Sequence, residues 1–160
     1  MVERAAEHLS TSYYNVPFRP VSEKIELGDS PTNMAATIGR NLSEEHAGAL
    51  VLISVAEKVR FNMGIFREEK VALLNVRSLL PTKLRAEKAR DAYEKRIMKE
   101  SVRAIGLLIG LEPTRFPRCA MFPWQTEKEL DRKGLNLCPP RHLAARRILI
   151  DMGFDLGPVE

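Results

Sequence analysis

An α/β (α+β) domain, with a mixed β-sheet packed on helices, is the fold class this sequence predicts, and three observations carry it. Short apolar runs rich in β-branched residues stand at 49–55, 59–66 and 71–76. Segments with apolar residues at helical spacing flank them, several opened by proline. One of those segments, about 83–111, is far longer than the rest. The order is then helix, strand, helix, strands, long helix, loop, helix, which builds a layered mixed sheet.

Residues 3–9 have the pattern of a short helix, and 12–28 (SYYNVPFRPVSEKIELG) reads as extended because Pro17 and Pro20 exclude a helix interior. Ser30-Pro31 is a capping serine followed by proline at the first helical position, and Met34, Ala35, Ile38 and Leu42 continue at helical spacing to about residue 46. ALVLISV (49–55) suits a buried strand, and Val59–Phe66 and Val71–Val76 read as two more. Pro81-Thr82 opens the long helix, whose inward face runs through Ala86, Ala89, Tyr93, Ile97, Ala104, Ile105 and Leu108. A proline-rich irregular stretch follows, then a helical turn at 126–133. Pro139-Pro140 begins a last helix that ends near Gly153.

At 160 residues the chain reads as one domain, 1–160, long enough for a real core. The net charge of +4 is mild and gives only weak attraction to anions. No apolar run reaches the length of a membrane span, and MVERAAEHLS lacks the apolar region of a signal peptide, so a cytoplasmic location is the default expectation. Cys119 and Cys138 are too few for a disulfide framework. The segment 83–103 carries eight Lys or Arg and four acidic residues, which reads as a solvated helix face with pairs such as Arg90–Glu94. A basic nucleic-acid-binding module is the alternative, without a recognisable nucleic-acid motif. Phe122 and Trp124, beside prolines, either cap a core or form an exposed aromatic patch for a partner.

No phosphate-binding glycine loop, nucleophile elbow or dinucleotide fingerprint is present. His8, His46 and His142 fall in different elements, and no two share ligand spacing on one helix. The informative stretch is RAIGLLIGLEPTRFPRCAM, residues 103–121, with two glycines in an apolar helix that each cost about 1 kcal/mol against alanine. Laid on the zinc-protease frame HExxHxxGxxH, Gly110 takes the glycine position. Cys119-Ala120-Met121 then matches a C-x-M element, and Cys138-Pro139 the start of a CPxC. On these residues the chain resembles the archaemetzincins, a metzincin-type zinc metalloprotease family, over about residues 10–150.

The resemblance implies a metzincin-like sheet one strand short at the N-terminus, with 83–111 as the active-site helix. It also implies that the zinc chemistry is gone. The three histidine positions hold Arg103, Leu107 and Pro113, and the general-base position holds Ala104. A guanidinium, an isobutyl group and a pyrrolidine ring are not zinc ligands, and Ala104 takes no proton from water. Neither the catalytic nor the structural zinc of the family is therefore expected as a cofactor. Of the four structural-zinc cysteines two remain, Cys119 and Cys138, with Thr114 and Arg141 at the other positions. The pair should lie close in space, as reduced buried thiols, as a disulfide, or with His142 as a remnant site. Gly110 should mark the end of the helix, and Met121 should pack under Leu107 as an apolar plug. The function implied is a catalytically inactive pseudo-peptidase, with a peptide or protein partner along a sheet edge, for which Val71–Asn75 is the candidate. Arg103 and Glu112 would then orient a partner's charged group. The alternative is a peptidase with rearranged ligands drawn from Glu112, His46 or His142.

Overall fold

The computed structural model describes residues 2–21, 30–54, 61–83 and 86–158. Part of the extended segment (22–29), the beginning of the second expected strand (59–60, within 55–60), the last residue of the first expected strand (55) and residues 84–85 of the long helix lie outside them. The side chain of Ala86 lies outside them too.

Helix α1 (Val2–Ser12) runs further than its sequence pattern implies. Tyr14 and Asn15 then turn the chain in left-handed conformations, at φ 56° and 60°. The extended reading of 12–15 was wrong because two adjacent residues adopt the strained region that Asn tolerates and Tyr rarely enters. What holds the turn is Tyr13, buried, whose hydroxyl donates to the Val102 carbonyl at 2.6 Å. Helix α2 (Pro31–Asn41) starts as expected, with the Ser30 hydroxyl accepting from the Asn33 amide at 3.2 Å. It stops before residue 46: Asn41 turns its side-chain amide back to the Thr37 carbonyl, and Leu42 leaves helical geometry.

Strands β1 (Ala49–Ile53), β2 (Met63–Phe66) and β3 (Val71–Asn75) form a sheet in the order β1-β3-β2, with β1 parallel and β2 antiparallel to β3. Every residue of β3 is buried. Val71 and Leu73 face α2, against Met34, Ala35 and Ile38, while Leu74 faces the opposite side and packs with Ile97. An uninterrupted apolar strand is what a sheet covered on both faces requires. A 3₁₀ turn at Val76–Leu79 follows.

Helix α3 (Ala86–Ile109) lies across the sheet face opposite α2. The short α4 (Glu127–Arg132) and the final α5 (Pro139–Asp151) pack on it, as does α1. From Arg96 to Gly106 the helix is buried on nearly every side, so no single inward face exists there. This corrects the solvated-face reading of 83–103. Arg90–Glu94 and Asp91–Lys95 are surface pairs as that pattern implies, but Arg96, Lys99 and Glu100 are buried. Trp124 packs half-buried on the apolar cluster of Leu74, Ile97 and Leu130, and Phe122 is half-buried as well. The exposed aromatic of this region is Phe116, 52% exposed.

Candidate functional site: the C-terminal half of α3

Two glycines shape this half-helix, for different reasons. At Gly106 a Cβ would stand 2.5 Å from the Met121 sulfur and 3.0 Å from the Tyr13 hydroxyl, so the close approach of the loop excludes a side chain. At Gly110 nothing would crowd a Cβ, but φ is +102°. The Gly110 amide donates to the Leu107 carbonyl at 3.2 Å and the Leu111 amide to that of Gly106 at 2.7 Å. Those two bonds are a Schellman cap with glycine at its left-handed position, and they end the helix. Met121 therefore packs on Gly106, the residue before Leu107, on the buried side of the helix. Leu107 is only half-buried and joins the same cluster of Tyr13, Cys119 and Met121 from its rim.

Arg103, Ala104, Leu107 and Pro113 are the residues that the sequence frame aligns with zinc-protease ligand and base positions, and each has its own surroundings here. The Arg103 Nη1 donates to Glu100 Oε2 at 3.3 Å, while its Nε is buried without a hydrogen-bond partner among the described residues. Ala104 is fully buried. The Leu107 carbonyl accepts from Arg67 Nη2 at 3.0 Å and Nε at 3.2 Å, which ties the β2–β3 turn to the end of α3. Pro113 is exposed, and its carbonyl accepts from Arg141 Nη2 at 2.8 Å. Among the described residues no group of three or more His, Cys, Asp or Glu side chains converges to hold a metal ion.

Glu100 links Arg103 to a buried charge network. Its Oε1 accepts from Lys133 Nζ at 2.5 Å, and both side chains are almost wholly enclosed. One turn earlier, Arg96 (1% exposed) makes paired bonds to Asp131 at 2.7 and 2.8 Å, a third to Glu127 at 3.0 Å and a fourth to the Leu79 carbonyl. Lys99 donates to the carbonyls of Leu130 and Asp131 at the end of α4. Hydrogen bonds from Arg96 hold the Asp131 carboxyl below its ordinary pKa. Glu127 is lowered by the Thr82 hydroxyl and then by Arg96. Burial lowers Lys99 and Lys133, with Glu100 opposing the effect at Lys133. The alternation of Arg and Lys at 96, 99 and 103 with Glu100 was visible in the sequence. What it could not disclose was that α4 and Lys133 fold onto that stripe.

Cys119 and Cys138 meet. The Cys138 amide donates to Cys119 Sγ at 3.0 Å, and both thiols are free and buried. Burial, then the hydrogen bond with Cys138, raises the Cys119 pKa. His142 is engaged with Tyr14. Its ring stacks on Tyr14 at 4.1 Å, with the phenol 2.9 Å from Nδ1, and burial lowers its pKa. Thr114 donates its amide to the Met121 carbonyl at 3.4 Å, and Arg141 is engaged at Pro113. His46 bonds to Ser43 beside a shallow cleft of about 400 Å³ lined also by Arg40, Glu68 and Lys70. His8 meets the Leu135 carbonyl at 3.2 Å, and Glu112 is exposed. The structure thus does not bring Glu112, His46 and His142 together.

Among the described residues, a three-stranded mixed sheet is crossed by one long helix, with a left-handed glycine ending that helix and a buried methionine in the loop beyond it, an α+β arrangement shared with solved zinc-dependent peptidase structures. More closely, it is the archaemetzincin fold. The structure superposes on an archaemetzincin from Methanopyrus kandleri with a TM-score of 0.74 at 23% identity, covering 93% of this chain and 86% of that one. A zinc-dependent peptidase from Methanocorpusculum labreanum matches at 0.70 and 17% identity, covering 90% and 92%. An archaemetzincin from Archaeoglobus fulgidus, solved with malonate, matches at 0.56 and 22%, covering 91% and 94%. No protein-family model and no curated protein matches the sequence.

Proposed function

We propose that this protein is a pseudo-peptidase: an archaemetzincin-like domain in which the catalytic zinc site has been replaced by packing and ion pairing, leaving a peptide-binding role. The observation that carries the reading is Arg103. At the first ligand position it offers a cation where a metal would need a lone pair, and it is held there by Glu100 within the buried network. Ala104 and Leu107 add apolar volume, which is often as stable as a buried polar site or more so. A peptidase of this kind needs three convergent ligands and a base, and these positions supply neither.

The partner reading moves to a different strand. Val71–Asn75 is the centre of the sheet and paired on both sides, so it offers no free edge. Strand β2 (Met63–Phe66) is an outer strand among the described residues, and it packs on α3. An extended peptide adding to β2 would gain main-chain hydrogen bonds along that strand. Amide chemical shifts recorded during titration with mixed peptides test this. Perturbations concentrated on residues 63–66 are expected, and a silent β2 alongside shifts elsewhere contradicts it. Catalysis is tested separately, by zinc reconstitution and peptide hydrolysis.

A further inference from the structure

We propose that Cys119 and Cys138 form a two-coordinate site for a soft monovalent cation, Cu(I) being the biological member of that class. The two cysteines come from separate elements, the loop before Met121 and the N-cap of α5, and the Cys138 amide stands 3.0 Å from Cys119 Sγ, with both thiols buried and unoxidised. No third His, Cys, Asp or Glu joins them among the described residues. Zinc, which takes four ligands in structural sites, is poorly served by such a pair, whereas thiolates select Cu(I), a closed-shell ion content with two of them in line.

The surroundings suit the charge of the product. Two thiolates around one Cu(I) carry a net charge of −1. The Cys138 amide already donates to Cys119 Sγ, the kind of hydrogen bond that stabilises a metal-bound thiolate. Cys138 itself caps the N-terminus of the 13-residue α5, the positive end of that helix, and its side chain makes no capping bond there. Both cysteines belong to one buried apolar cluster with Tyr13, Ala120, Met121 and Leu137. Binding is a substitution without redox change: two S–H bonds break, two Cu–S bonds form, and two protons leave to solvent. The site is independent of the pseudo-peptidase reading, since it uses none of the α3 positions.

The test uses the full-length chain, reduced and anaerobic, with Cu(I) supplied as its coloured bathocuproine disulfonate complex. The chain should withdraw one Cu(I) per molecule, copper-edge X-ray absorption should show two sulfur neighbours, and Zn(II) should not be withdrawn from a zinc indicator. Cys119→Ser and Cys138→Ser should each abolish uptake while keeping the wild-type circular dichroism. Failure to withdraw Cu(I), equal uptake by the double serine variant, preferential uptake of Zn(II), or a disulfide forming with no copper retained would each overturn the proposal. Should the serine variants unfold, the absorption spectrum of the wild type decides: nitrogen or oxygen neighbours contradict the site.

Discussion

Gly106 and Glu100 are the residues on which single substitutions act most directly. A methyl group at Gly106 would stand 2.5 Å from the Met121 sulfur and 3.0 Å from the Tyr13 hydroxyl, both on buried side chains, so the packing there must shift to admit it. Overpacking of this kind costs about 1–3 kcal/mol, against which alanine's better helix propensity returns about 1 kcal/mol. Gly106→Ala should therefore lower stability by a net amount on the order of 1 kcal/mol, read as a lower urea midpoint at unchanged m-value. At Glu100 the concern is charge. Glu100→Gln leaves the enclosed Lys133 ammonium without its anion, and breaking a buried pair in this way costs about 3–5 kcal/mol. Replacing both partners together, as Glu100→Leu with Lys133→Met, should recover most of that loss in the same denaturation experiment. A double variant as unstable as the single one would show that packing, and not the unpaired charge, sets the cost.

At the scale of elements, α4 is too short to be stable alone and is held at both ends. The Thr126–Glu129 capping box closes its start, Lys99 takes its last carbonyls, and Arg96 binds Asp131 and Glu127 along its side. The pH dependence follows from those carboxylates. Their folded pKa values lie below the unfolded ones, so the stabilisation is complete above the unfolded values and is lost as pH falls through the folded ones. Both carboxylates are about two-fifths exposed, which makes the effect modest. Below about pH 4, the stability of the wild type should decline more steeply than that of Asp131→Asn, measured by denaturation at a series of pH values. Parallel slopes would remove Asp131 from the account of α4.

Capping serine 30, the proline-opened α5 and its stop at Gly153 were legible because they are local: one residue's conformation decides each. The end of α3 at Gly110 was legible for the same reason. The left-handed turn at Tyr14-Asn15 was not, since its support comes from Val102, far away in sequence. Nor was the strand order, because an apolar run such as VALLN is equally consistent with a central strand or an edge until its neighbours are known. Charge on α3 misled for a related reason. Alternating Arg, Lys and Glu look solvated in any window, and only the folding of α4 and Lys133 onto them makes them buried.

For the molecule as a whole, the fold is that of archaemetzincins, and we propose that the side chains aligned with the zinc frame serve packing and ion pairing instead of metal binding. The proposed consequence is a scaffold that no longer hydrolyses peptides. The most direct measurement is the zinc content and peptidase activity of the full-length protein, purified without chelators and then incubated with excess Zn(II) before desalting. No stoichiometric zinc and no hydrolysis of a peptide library are expected before or after loading. One zinc retained per chain, with hydrolysis that a chelator abolishes and zinc restores, would contradict that expectation.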